Sequence, residues 1–190
     1  TPTRRQRQMC IRDRIYADPP WNFRTFSATG AGRSPSNHYG CMSIDDICDL
    51  RVSECALNDC VLLMWVCDPL LDSAFKVIEA WGFKYKTVGF TWAKTNKKSL
   101  GFFTGLGYWT RGNPEMCLLA TRGKPKRVSK SVKQLVISER REHSRKPDEI
   151  YNYIEDLLEG PYLELFARNT RAGWDSWGNE TEKHGTVQTN

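Results

Sequence analysis

Apolar and polar positions along the chain mark out strands and helices that follow one another. Cys60 to Cys67 is an unbroken apolar run of strand length. A run without polar alternation predicts a strand covered on both faces. Upstream, Ile15 to Asp18 closes a short strand that Pro19-Pro20 stops, because proline removes a ladder donor and restricts the residue before it. Ser43 to Asp46 is a capping-box variant and predicts a helix running to about Glu54. Pro69 opens a second helix with Leu70, Leu71, Ala74, Phe75, Ile78 and Trp81 on one face, ended by Gly82. Aromatic and β-branched residues predict strands over Lys84–Lys94 and Glu115–Thr121. Pro147 opens a helix spanning Lys146 to about Leu158, with Ile150, Ile154, Leu157 and Leu158 inward; Gly160-Pro161 breaks it, and Tyr162–Arg168 is the last strand. Residues 22–40 and 95–114 are rich in small polar residues and lack periodicity, so they read as long loops, a length usually kept for function.

Strands alternating with helices place the chain in the α/β class, with a doubly wound, mostly parallel sheet. Ligands of such sheets bind beyond the carboxyl ends of the strands. Here those positions are Asp18, the loop after Val66, the loop after Lys94, and Arg168-Asn169.

At 190 residues, 39% hydrophobic and 26% charged, the chain has the composition of one globular domain. Its longest apolar run falls far short of the roughly 20 residues of a membrane helix, and no signal peptide opens it. The expectation is therefore a cytoplasmic protein with no membrane partner. Seven cysteines without a C-x-x-C pair and three scattered histidines argue for packed thiols in a reducing compartment and against a metal site. The net charge is +6, but residues 122–146 carry ten Lys/Arg against two acids, a local +8 that leaves −2 elsewhere. A field of that kind suits a polyanion such as nucleic acid, with a solvated loop as the plain alternative. Residues 1–14 read as a disordered or extraneous basic arm on a chain that opens with Thr1, residues 15–180 as the domain, and residues 181–190 as a tail.

The most informative stretch is Asp18-Pro19-Pro20-Trp21 at a strand end. The Asp18 carboxylate and the Pro19 carbonyl are acceptors for an amino group, and Trp21 offers a face to a flat base. The plain alternative is a Pro-Pro turn with Trp21 in the core. Four further stretches follow in order: His38 to Ser43; Gly107-Tyr108-Trp109 through Glu115-Met116-Cys117; Ser144 to Tyr151; and Leu163 to Arg168 followed by Trp177-Gly178-Asn179.

Together these five motifs resemble the S-adenosylmethionine-dependent amino-methyltransferases of the mRNA adenosine methyltransferase-like family, in its bacterial and phage branch. The resemblance covers roughly residues 15–180. It implies a Rossmann-like methyltransferase fold with permuted motif order, the catalytic motif preceding the cofactor motif. It implies methylation of the exocyclic amine of adenine in nucleic acid, DNA before RNA, with S-adenosyl-L-methionine as cofactor. A catalytically inactive nucleic-acid-binding relative is the rival. By the same resemblance Asp18, Pro19, Pro20 and Trp21 form the catalytic tetrapeptide, and Asp18 also meets the cofactor. Tyr39, Trp109, Asn113 and Glu115 lie in loops over the substrate. Lys146 pairs with the cofactor's carboxylate, while Glu164, Arg168, Asn169, Asn179 and Glu180 surround its ribose and adenine. Lys124, Lys126 and Arg127 are expected to follow the phosphate backbone. Relatives that work as dimers extend the expectation to a homodimer or heterodimer. Residues ahead of the catalytic strand help hold the adenine in relatives, but residues 1–14 do not align with them.

Overall fold

The computed structural model describes residues 12–22, 40–142, 144–179, 181 and 185–187. Along the chain these form β1 (Arg12–Ala17), α1 (Ile44–Cys48), β2 (Ala56–Val66), α2 (Leu71–Ala80), β3 (Lys84–Thr95), β4 (Glu115–Arg122), β5 (Leu135–Glu139), α3 (Glu149–Leu157), β6 (Tyr162–Leu165), β7 (Thr170–Arg171), β8 (Trp174–Trp177) and β9 (Thr186–Val187). Seven strands make one sheet in the order β5-β3-β4-β2-β1-β6-β8. Only β4 runs against its neighbours; the pairs β5-β3, β2-β1, β1-β6 and β6-β8 are parallel. The α/β, mostly parallel sheet expected of the sequence is present.

Side chains alternate across this sheet and build a core on each face. Cys60, Leu62, Met64 and Val66 of β2 pack with Ile15, Ala17, Leu163 and Leu165 beneath Ala74, Val77, Ile78 and Trp81 of the α2 region. On the opposite face Val61, Leu63 and Trp65 pack with Tyr16, Phe90, Trp92 and Cys117 beneath Ile150, Tyr151 and Ile154 of α3. The apolar run is thus covered twice, as its lack of alternation predicts. Gly82, at φ +82°, ends α2 through bonds from its N–H to Glu79 O and from Phe83 N–H to Ile78 O. Gly89 of β3 leaves room for the Leu63 side chain of β2, which reaches across β4: a Cβ there would lie 2.9 Å from Leu63 Cδ2 and 3.2 Å from Leu119 Cβ.

Four elements differ from the sequence expectation. Ser43 does cap α1, accepting from Asp46 N–H at 3.1 Å. However, α1 stops at Cys48, and Val52–Glu54 forms a separate 3₁₀ turn. Asp45, Asp46 and Asp49 are poor helix formers, and five residues cannot sustain a helix without packing. Phe75 is 39% exposed and meets Tyr85 edge-on at 5.0 Å, while Val77 takes the inward position. Within the basic segment a further strand, β5, pairs with the end of β3. The last predicted strand ends at Leu165, and Trp174–Trp177 adds β8 beside it. The six cysteines among the described residues are free thiols, with Cys60 and Cys117 fully buried. Burial pushes the Cys60 thiol up to about 12. Among the described residues no helix is long and apolar enough to cross a membrane.

Candidate active site

β1, β2, β3 and β6 all point their carboxyl ends the same way, and antiparallel β4 begins there. That shared end gathers the charged side chains. Asp18 follows β1 directly, Lys94 is the last residue but one of β3, Glu115 opens β4, and Lys146 lies three residues before α3. Their ends form a chain of ion pairs. Lys94 binds one oxygen of Glu115, the other Glu115 oxygen lies 3.2 Å from Lys146 Nζ, and Lys146 Nζ donates to Asp18 Oδ2 at 3.0 Å. Burial opposes the charge of Lys146, but Asp18 and then Glu115 outweigh it and hold the ammonium protonated well above its ordinary range. Burial likewise works against Glu115, yet Lys146 and Lys94 bring its carboxyl down to about 2.

Asp18 and Lys146 form one wall of an open cleft, completed by Tyr16, Ser144, Arg145, Asp148, Tyr151, Glu164, Phe166, Arg168 and Asn169. Glu164 sits on β6 beside Tyr16 of β1 and is 7% exposed. The Tyr151 hydroxyl lies 2.9 Å from its Oε2, and that hydroxyl also receives the Asn169 amide at 2.8 Å. Burial raises the Glu164 carboxyl to about 8; the Tyr151 bond opposes the shift and the charge of Asp18 adds to it. Asp148 is clamped by Arg141 and Arg145, each at 3.1 Å. Arg145 Nε is buried without a hydrogen-bond partner. The cleft therefore offers an ammonium, a carboxylate and a carboxyl–hydroxyl–amide cluster within one concavity.

The expected site residues divide between this cleft and other places. Asp18, Lys146, Glu164, Arg168 and Asn169 line it together. The Pro19 carbonyl accepts Trp21 N–H at 2.8 Å and keeps a second lone pair, and the Pro20 carbonyl accepts Met42 N–H at 3.0 Å. Trp21 offers no open stacking face. It is 2% exposed in the core beneath α2, and its indole N–H is spent on Trp65 O at 2.8 Å. Asn113 uses its amide to tie residues 96–114 to β3, donating to the carbonyls of Lys94 and Phe103. Trp109 is fully exposed at φ +66° on that loop, beside exposed Leu106 and half-exposed Tyr108. Asn179 is exposed past β8 and outside the cleft lining. Tyr39 and Glu180 lie outside the described residues, as do most of residues 1–14, most of the loop 22–40 and most of the tail.

Lys124, Lys126 and Arg127 do not border the cleft. β4 runs away from the site, so that Arg122 pairs with Cys60 while Met116 pairs with Val66. Lys124 N–H is bonded to Asp59 Oδ1 at the opposite end of the sheet, roughly 20 Å from Asp18 by strand rise. Only after β5 returns does the basic segment reach the site with Arg140, Arg141, Arg145 and Lys146. Sequence reasoning treats the segment as one loop because its single apolar triplet is too short to announce a strand. It also misses Lys94 and Tyr151. The inward spacing of Tyr151 between Ile150 and Ile154 is a signal that could have found it, and Lys94 has none beyond ending a strand.

The sequence profile of the MT-A70 family matches residues 13–180. Type II methyltransferase M.MunI of Mycoplasma sp is 32% identical over 184 residues, covering 87% of this chain and 76% of that protein. The N(6)-adenosine-methyltransferase MT-A70-like of Arabidopsis thaliana is 33% identical over 87% of this chain and 23% of its own length. The human N(6)-adenosine-methyltransferase catalytic subunit METTL3 is 28% identical over 88% of this chain and 28% of its own. The chain thus spans three quarters of the Mycoplasma protein but about a quarter of the plant and human ones. The matched span runs from β1 through β8 and includes every described residue that lines the cleft, so the chain belongs to the MT-A70 family of methyltransferases.

Proposed function

We propose that the protein transfers a methyl group from S-adenosylmethionine to the exocyclic amino nitrogen of adenine in DNA. The observation that carries this reading is the meeting of Asp18 and Lys146 in the lining of one cleft with Glu164 and Asn169. The donor set suits the cofactor. An amino-acid end needs one cation and one anion, which Lys146 and Asp18 supply. A ribose diol needs acceptors and donors, which Glu164 and Asn169 supply. The unpartnered Arg145 Nε leaves one more donor in the cleft wall. When bound, the cofactor supplies an activated methyl group.

The protein's own contribution is alignment of a poor nucleophile. An adenine amine shares its lone pair with the ring. Asp18 and the free lone pair of the Pro19 carbonyl accept its two hydrogens, which directs the nitrogen lone pair out of the ring plane. Holding reactants in this way can supply about 7–11 kcal/mol of barrier lowering. The nitrogen carries a surplus proton once the new bond has formed, and the Asp18 carboxylate that holds one of its hydrogens is the group to take it. A base inside a duplex is out of reach of these groups, so the target is flipped or single-stranded. Exposed Lys97, Lys98 and Arg111 lie on the 96–114 loop, and the exposed Arg140 guanidinium sits 4.5 Å over the Phe103 ring of that loop; these cations suit the phosphates and bases of the flanking strand.

The DNA reading draws support from the Type II methyltransferase of Mycoplasma sp, whose name carries no mention of adenosine and which is matched over 76% of its length. The plant and human relatives, named for adenosine, support an RNA reading. Matched DNA and RNA oligonucleotides incubated with labelled S-adenosylmethionine, followed by nucleoside mass spectrometry, decide between them. The account predicts N6-methyldeoxyadenosine; N6-methyladenosine from RNA alone reverses the substrate, and no methylated nucleoside contradicts the reading.

A further inference from the structure

Lys94 has no place in the mechanism above, yet its side chain is only 17% exposed and its ammonium is spent on Glu115, not on solvent. Its backbone does a separate job, since the Lys94 carbonyl accepts Phe103 N–H at 2.8 Å and the Asn113 amide at 3.0 Å. Loop anchoring therefore needs the Lys94 main chain and leaves the ammonium to be explained. Around Glu115, Lys94 on β3 and Lys146 before α3 are paired with it, Cys67 and Asp68 after β2 feel its charge, and Asp18 after β1 is joined to it through Lys146. Burial pushes the Cys67 thiol up to about 12, so it stays neutral. Three carboxylates then share two ammonium groups.

We propose that Lys94 is a positioning residue for methyl transfer: by taking one oxygen of Glu115 it leaves the other to hold Lys146 against Asp18. The inference rests on the methyltransferase reading and adds to it a residue that touches neither cofactor nor base. Its logic is charge balance. With Lys94 present, Glu115 is anionic at any physiological pH and serves as a fixed second support for Lys146. With Lys94 removed, Asp18, Glu115 and Asp68 compete for one ammonium, and burial favours a proton on Glu115. Lys146 then loses that support or is drawn from Asp18 toward Glu115. Glu115, expected from the family resemblance to face substrate, acts here as the link between two lysines.

The test uses the full chain as wild type, Lys94→Met and Lys94→Arg, with Lys86→Met as control because Lys86 is exposed on the same strand. Carbon-13 titration of the Glu115 carboxyl reads the coupling without any turnover. Lys94→Met is expected to raise its titration midpoint by one unit or more, about a tenfold change in proton affinity. Calorimetry with S-adenosylmethionine at pH 5 and pH 8, and pH profiles of kcat/KM, read the consequence. Lys94→Met should weaken cofactor binding by about tenfold, most at pH 5, with its acid limb displaced upward. Lys94→Arg should restore both, and Lys86→Met should change neither. Thermal unfolding checks the fold, and Lys94→Gln replaces Lys94→Met if the latter does not fold. An unchanged Glu115 titration, or a loss of activity in Lys94→Met equal at every pH and unrescued by Arg, overturns the proposal. A wild type that transfers no methyl group overturns the methyltransferase reading instead, and the titration still decides whether Lys94 governs Glu115.

Discussion

Glu164 is a carboxyl inside an apolar strand, and its surroundings set both its charge and its use. The folded chain holds it at about 8, against an ordinary glutamate range near 4.3. The folded state thus binds one proton more than the unfolded chain between those values, and its stability falls as pH rises through that window. Glu164→Gln should match wild type in Tm near pH 4 and exceed it near pH 8; parallel curves across the window would remove Glu164 from the balance. The same group is visible in the sequence as a carboxylate in an apolar strand, but its partner Tyr151, thirteen residues earlier on α3, is not. At the loop tip, fully exposed Trp109 stands ready to stack on a base, an interaction worth about 1–3 kcal/mol. Trp109→Ala is expected to raise the Kd for a single-stranded oligonucleotide roughly tenfold while leaving S-adenosylmethionine binding unchanged. Equal oligonucleotide affinity would leave that indole without a nucleic-acid role.

Elements with strong periodicity or a long apolar run are legible from the sequence. The doubly covered β2 and the helices α2 and α3 appear where the spacing of Leu62, Ala74, Ile78, Ile150 and Ile154 puts them, because burial of those side chains is what forms them. β5 and β8 are not legible. Each is a short edge strand, and its existence depends on a distant partner: Thr91–Thr95 for β5 and Tyr162–Leu165 for β8. Without β5, half of the basic segment is misplaced, since a strand of that direction carries the chain back across the sheet. The consequence is a reversal of the charge expectation. Replacing Lys97, Lys98 and Arg140 together by neutral residues should flatten the salt dependence of DNA binding, the slope falling by about 0.7–0.9 for every phosphate no longer neutralised. Replacing Lys124, Lys126 and Arg127 should leave that slope unchanged. The opposite pattern would move the nucleic acid to the far end of the sheet.

At the scale of the whole molecule, the seven-stranded sheet of the described residues carries a core on each face and has one end where the carboxyl ends of six strands and the start of β4 converge. Convergence is what brings together Asp18, Lys94, Glu115 and Lys146, whose ends, Asp18 and Lys146, are 128 residues apart in the chain. The tetrapeptide is readable as a motif, but the ion-pair chain requires the topology, because no local pattern ties Lys94 to Lys146. The most direct measurement is methyl transfer by wild type and Asp18→Ala, each with labelled S-adenosylmethionine and adenine-containing DNA, alongside circular dichroism. The account predicts N6-methyldeoxyadenosine from wild type and at least a hundredfold loss, on the order of the 3 kcal/mol or more that removing an aligned polar group costs, in a variant that still folds. Folded Asp18→Ala that methylates DNA at the wild-type rate would contradict it.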